Sequence, residues 1–267
     1  MTTIATWNIN SLRTRLEHLK KWVGERNPDV ILLQEIKCQE EHFPREEIED
    51  LGYNVALLGQ KSYNGVAILS KSPVEDVVYG LPTFQEDQQA RYIEAFIGGV
   101  DGVRVASVYV PNGQEVGSEK FAYKMAFLEA LKKHGETLLA QGDPLVIAGD
   151  YNIAPFVSDG HSPERFKQDR ILCSLEEREA LRSLYNTGFI DGFRLKHPET
   201  LPENQHLFSW WDYRSGSYQN NKGYRIDHLL LSPKAADRLQ DAGIDPETRG
   251  EERPSDHAPV WVDLASA

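Results

Sequence analysis

The chain has 267 residues, of which 40% are hydrophobic and 10% aromatic, enough apolar material for a sizeable core in one large domain or two small ones. No apolar run approaches the roughly 20 residues that would span a bilayer, and the opening MTTIATWNIN lacks the basic start and apolar stretch of a secretory leader. A formal net charge of −12 excludes a uniformly basic surface, but segregated charges still create local positive fields.

The two cysteines, Cys38 and Cys173, form no CxxC pair and read as free thiols of a reducing compartment. Cys38 and His42 have helical ligand spacing, but no second Cys/His pair accompanies them, so zinc is not expected.

In chain order, IATW reads as a strand, followed by a helix from Ser11 to about Asn27 with Leu12, Leu16, Leu19, Trp22 and Val23 on one face. PDVILLQE is a continuous apolar run typical of a strand buried on both sides. Pro44 suits the first turn of a helix and Gly52 its stop. YNVALLG and NGVAILS flank a turn, and VEDVVYGL, RYIEAFIGG and VRVASVYVP continue as strands. A long helix is predicted from about Glu119 to Gln141, ahead of Gly142, leading into the strand PLVIAGDYN. Ser174 and Glu177 form a capping-box pattern. LFSWWDY and YRIDHLLLS read as strands, Ser232-Pro233 as the start of a final helix, and HAPVWVDL as the closing strand. Two cycles of strands and helices predict two sheets packed face to face with helices outside. TWNI and DYNI read as echoes of an internal duplication.

Several strand-like runs end in residues of one restricted type: Asn8 and Asn10, Glu35, Tyr109 and Asn112, Asp150 and Asn152, Asp227, and Asp256 with His257. A carboxylate directly after a buried run is costly unless it is paired or binds a cation. For Asn10 or Asn152 alone a turn or cap is the simpler reading. Together, hard oxygen donors without clustered cysteine favour Mg²⁺ or Mn²⁺, and metal-assisted hydrolysis. Asp256 and His257 would point to opposite faces of a regular strand. The prolines on either side, Pro254 and Pro259, argue for an irregular entry in which both reach one site. Basic residues gather at Arg13–Arg15, Lys120–Lys124, Arg165–Lys167–Arg170 and Arg214–Lys222–Arg225, the first and third of which read equally well as solvated helix faces.

PDVILLQEIK, GDYNIAP, FSWWDYRS, NKGYRIDHLLLS and PSDHAPVW together resemble the exonuclease III family of apurinic/apyrimidinic endonucleases, in the family's order from Trp7 to Trp261. FSWWDYRS is similar to its bacterial exodeoxyribonuclease III branch. The resemblance implies a four-layered α/β sandwich of the deoxyribonuclease I type, with residues 1–267 as a single catalytic domain. It also implies incision of duplex DNA 5′ to abasic sites and 3′→5′ trimming of 3′ ends, by a monomer of the bacterial cytoplasm that works at the nucleoid and not at a membrane.

By the same resemblance Glu35 is the principal Mg²⁺ ligand, with Asn8, Asp150, Asn152 and Asp256 in the metal shell. Asp150 activates the attacking water, Asp227 orients the catalytic His257, and Tyr109, Asn112 and Asn152 face the phosphate. Trp210 packs on the deoxyribose at the lesion, while core packing is the expected role for one of Trp210 and Trp211. Arg214 and Lys222 flank the SGSYQNN loop and are expected to contact DNA. Two positions depart from the family pattern: Ser11 stands where glycine is common, and Gly192 where a hydroxyl residue is common. The competing readings are a phosphoesterase of inositol phosphates or sphingolipids on the same fold, and a non-catalytic binding module.

Overall fold

The computed structural model describes residues 1–99, 102–199 and 207–266. Strands β1 (Thr2–Asn8), β2 (Val30–Gln34), β3 (Asn54–Leu58), β4 (Val66–Ser70), β11 (Leu239–Ile244) and β12 (Val260–Leu264) form one six-stranded sheet, in the order β11-β12-β1-β2-β4-β3. Strands β5 (Val74–Tyr79), β6 (Tyr92–Ile97), β7 (Val103–Tyr109), β8 (Leu145–Asp150), β9 (Ile190–Asp191) and β10 (Asp227–Leu231) form the other, in the order β5-β6-β7-β8-β10-β9. Each sheet holds one parallel pair, β1 with β2 and β7 with β8, and its other pairs are antiparallel.

The period-two alternation of side chains makes the layers. Val30 and Leu32 of β2 join Ile93, Val105, Val146 and Leu229 in the core between the sheets. Ile31 and Leu33 face the other way, under Leu19, Trp22 and Val23 of helix α1 (Leu16–Arg26) and Ile48 of α2 (Arg45–Glu49). On the far side Ala106, Ile147 and Leu230 pack under α3 (Glu119–Gln141) and α5 (Leu175–Asn186). Helices, sheet, sheet and helices are the four expected layers. The short helices α4 (Pro163–Lys167), α6 (Gly192–Lys196) and α7 (Pro233–Asp237) connect them.

Helix α3 has the predicted ends: Ser118 accepts a bond from Phe121 N, and Gly142 closes it at a φ of 76°. The Ser174–Glu177 capping box opens α5. The first helix starts later than its apolar face suggests. Asn10 and Ser11 have positive φ, because Ser11 N donates to Glu35 O at 2.7 Å and Leu12 N to Ile36 O at 3.2 Å. After that pairing Leu12–Thr14 makes only a single 3-10 turn, and the α-helix begins at Leu16. The segment LFSWWDY is not a strand either. Trp210 makes isolated bridges to Tyr224 and His257, so the chain crosses neighbouring segments and does not run along one. The helix at Ser232-Pro233 is the last α-helix among the described residues, as expected, but β11 intervenes as a half-polar edge strand before the closing strand.

The two sheets share a topology, each with a parallel pair flanked by antiparallel strands. TWNI ends β1 and DYNI ends β8, which are not equivalent strands. Asn8 lies opposite Gln34 and Tyr109 opposite Asp150, so the repeat matches Asn8 with Tyr109. At Gly192 a Cβ would lie 2.9 Å from Leu231 Cδ1, so the turn into α6 closes directly onto the core.

Candidate active site

Both parallel pairs deliver their carboxyl ends to one edge of the sandwich. Asn8, buried at the end of β1, donates from Nδ2 to Glu35 Oε1 and to Asp150 Oδ2, each at 2.9 Å. One amide thus joins the last residue of β8 to the residue after β2. Just beneath, Gln34 Nε2 donates to Ser107 Oγ at 2.9 Å, and Ser107 Oγ to Leu33 O at 2.9 Å, pinning the two sheets where the site begins. The glycine before Asp150 is required by close approach, because a Cβ on Gly149 would fall 1.8 Å from Val108 O.

Asp227 lies opposite Asp150 on the adjacent strand. His257 directs Nδ1 to Asp227 at 2.9 Å and Nε2 towards Asp150 Oδ2 at 3.6 Å. Ser209 Oγ donates to Asp227 Oδ2 at 2.6 Å and accepts from Asp227 N at 3.2 Å. Among the described residues, Asp150, Asp227 and His257 carry ligand atoms within 4.8 Å of one another, a set able to hold a metal ion. Burial pushes the Asp150 carboxyl up to about 7, opposed by His257 and reinforced by Asp227. Burial alone would lower the His257 imidazole, but Asp227 and Asp150 outweigh it and raise it to about 10, so His257 is a cation at neutral pH.

The flanking prolines have the anticipated effect. No regular strand begins until Val260, and Asp256 and His257 face the same cleft. Trp7 Nε1 holds His257 O at 3.0 Å, and Ser255 Oγ donates to Asn8 O at 2.6 Å. Asp256 accepts Asn10 Nδ2 at 2.8 Å and Trp210 Nε1 at 2.9 Å. Against the upward push of burial, His257 and these donors keep its carboxyl below the usual carboxylate range.

Glu35 has a φ of 49°. Its Oε2 meets the Lys37 ammonium at 2.8 Å, which also donates to Asn10 Oδ1 at 2.6 Å. A side-chain cation therefore sits among oxygen donors contributed by Glu35 and Asn10. The Tyr109 phenol is held well above its ordinary range by its packing, then by the Glu35 and Asp150 charges, so it stays neutral. Arg91 stacks over its ring at 4.7 Å. Asn112 Nδ2 donates to Asn152 Oδ1 at 3.0 Å, and Asn152 N to Asp150 Oδ1 at 2.9 Å.

In front of these groups lies a cleft of about 620 Å³ lined by Glu35, Tyr109, Asn112, Asp150, Asn152, Trp210, Arg214, Lys222, Asp256 and His257. Asn8 and Asp227 are fully buried behind its wall. The two tryptophans part company: Trp210 lines the cleft, and Trp211 packs with Phe208 and Ala258 in the core. Arg214 and Lys222 are exposed at the rim. Two members of the basic clusters do not face solvent. Lys124 is buried and paired with Glu177, and Arg225 is buried with Asp159 and Asp191.

Sequence reasoning missed four groups. Ser209 supports Asp227, Lys37 sits on Glu35, and Asn10, read as a turn former, bridges Lys37 and Asp256. Lys124, the fourth, belongs to a basic cluster in sequence and to the interior in the fold. Ser209 and Lys37 lie inside the blocks FSWW and QEIK, so their position was visible although their partners were not. His161, Arg165 of α4 and Tyr224 also line the cleft.

Residues 5–257 match the model of the Endonuclease/Exonuclease/phosphatase family. The chain is 38% identical to exodeoxyribonuclease III of Haemophilus influenzae, with 97% of this chain and 98% of that one covered. It superposes on a 3′ phosphatase from Neisseria bound to a product DNA hairpin with a TM-score of 0.92, at 39% identity and 99% coverage of both chains. An AP endonuclease from Archaeoglobus fulgidus gives a TM-score of 0.91 at 35% identity, again with 99% of both chains covered. The four-layered sandwich is the fold of these structures. The chain belongs to the Endonuclease/Exonuclease/phosphatase family, within its exodeoxyribonuclease III and AP endonuclease group.

Proposed function

We propose that this protein is a Mg²⁺-dependent DNA-repair phosphodiesterase that incises duplex DNA 5′ to abasic sites and trims 3′ ends in the 3′→5′ direction. The observation that carries this reading is the meeting of Glu35, Asp150 and His257 in one cleft, with Asn8 joining Glu35 to Asp150 and Asp227 buried behind His257. β1 pairs with both β2 and β12, drawing residues near both ends of the chain into one sheet and supporting a single catalytic domain.

The donor set fits a hard divalent cation. Glu35, Asn8, Asp150, Asn152 and Asp256 offer oxygen, and the Lys37 ammonium on Glu35 and Asn10 is a stand-in for positive charge at that place. His257 and Asp227 satisfy one another, which favours Glu35 as the principal ligand. A bound ion there supplies charge stabilisation to the phosphate oxygens.

The remaining work falls to the side chains. Asp150, raised by burial, accepts a proton from the attacking water as the new phosphorus–oxygen bond forms and the bond to the 3′-oxygen breaks, the departing 3′-oxygen taking its proton from solvent water. His257, charged and steadied by Asp227, donates to the phosphate oxygens. Tyr109 stays protonated and adds a donor, while Asn112 and Asn152 orient the phosphate. An abasic deoxyribose has no base to unstack, so turning it into a small pocket beside Trp210 costs less than turning an intact nucleotide. Arg214 and Lys222 hold the backbone, so the local field attracts DNA despite the acidic whole.

The test sets the chain against abasic duplex, a 3′-recessed duplex and an inositol phosphate in parallel. Cleavage of both DNA substrates with an inert inositol phosphate is expected. The reverse pattern would select the phosphoesterase reading.

A further inference from the structure

Lys124 is fully buried in the second turn of α3, an uncommon place for an ammonium group. Its Nζ donates to Asn152 O at 2.8 Å and to Asn112 O at 3.2 Å, and is ion-paired with Glu177. Both asparagines line the cleft, and they are joined to each other through their side chains. Asn152 has a left-handed φ of 52° and is tied to Asp150 by its own N–H. Gly113, at a φ of 86°, packs against the Lys124 stem, where a Cβ would lie 3.0 Å from Cδ.

Glu177, also fully buried, accepts from Leu172 N at 3.2 Å and from Ser174 Oγ at 2.7 Å. The loop it holds carries Ile171 and Leu172, which form part of the cleft wall. One buried ion pair therefore grips three loops: the one after β7, the one after β8, and the one before α5.

We propose that Lys124, anchored by Glu177, is a positioning residue for the reaction: it fixes Asn112 and Asn152 by their backbone carbonyls and through them sets Asp150 relative to the phosphate. It touches no substrate. This inference rests on the phosphodiesterase reading above. A plain structural role for the pair would be to hold the fold, and the two roles predict different behaviour when both charges are removed together. Removing one partner leaves an uncompensated buried charge, whereas removing both leaves a neutral pair of similar volume.

The experiment compares Lys124→Met, the double variant Lys124→Met/Glu177→Gln and the parent by thermal melting, DNA affinity and single-turnover cleavage of abasic duplex. In the double variant, melting close to the parent and DNA affinity within threefold are expected, with a single-turnover rate about 10–100-fold lower, the scale of loss for misplaced catalytic groups. A folded double variant that cuts within twofold of the parent would overturn the inference. So would loss of fold in both variants, which would assign the pair to the fold. An inert parent would instead remove the phosphodiesterase reading itself, so the two failures are distinct.

Discussion

Asp150 and Asp227 stand directly opposite one another on the antiparallel strands β8 and β10, two buried carboxylates facing the same imidazole. The charged His257 lies between them, 2.9 Å from Asp227 and 3.6 Å from Asp150, and opposes the upward push of burial on Asp150. The three side chains act as one electrostatic unit.

The substitutions His257→Ala and Asp227→Ala should therefore be strongly non-additive. Each is expected to slow single-turnover cleavage by about 10²–10⁴-fold, with the double variant little worse than the poorer single one. Independent losses that multiply would rule out coupling.

Glu35→Ala should leave the chain folded, since Glu35 is half-buried at the cleft and outside the hydrophobic core. Mg²⁺ or Mn²⁺ affinity by titration calorimetry is expected to fall at least about 10-fold, and Mg²⁺-dependent cleavage by orders of magnitude. Near-normal activity at saturating Mg²⁺ would remove Glu35 from the metal shell.

Arg214 and Lys222 are exposed on the cleft rim and have no place in the His257–Asp227–Asp150 unit. Replacing either by alanine should weaken binding to abasic duplex and make the salt dependence shallower by about one unit for each phosphate no longer neutralised. Cleavage at saturating DNA should change much less. An unchanged slope in both variants would place the DNA elsewhere, and Lys120, exposed at the start of α3, becomes the better candidate.

Much of this site was legible because the strands that deliver it are buried on both faces. A polar residue at the end of VILLQ or VIAGD has nowhere inert to go, so Glu35 and Asp150 announced themselves. Positive-φ positions did not. Ser11 pairs its backbone with Glu35, which cut the first helix short, and apolar periodicity carries no sign of such a contact. Charge clusters misled for a related reason. Lys124 and Arg225 were grouped with the exposed Lys120, Arg214 and Lys222, yet each is buried against carboxylates from a distant segment. Only tertiary pairing separates a phosphate-facing cation from a structural one.

The buried group around Arg225 gives a stability prediction. Burial would raise the Asp159 and Asp191 carboxyls, but Arg225, with Arg194 at Asp159 and His228 at Asp191, holds both below the ordinary carboxylate range. Because the folded state binds these protons less readily than the unfolded chain, the stabilisation is present above the ordinary carboxylate value of about 4 and is lost as pH falls through the lower folded values. Arg225→Met should cost about 3–5 kcal/mol at pH 7, and the gap to the parent should narrow at pH 3. Urea denaturation at both pH values measures it. A gap that does not change with pH would show that the carboxylates are not held by Arg225.

The most direct measurement is incubation of the unaltered chain with end-labelled duplex carrying one abasic analogue, with Mg²⁺ and with EDTA. A single cut on the 5′ side of the lesion, present with Mg²⁺ and absent with EDTA, is the predicted result. An intact duplex with Mg²⁺, or cleavage unaffected by EDTA, would contradict it.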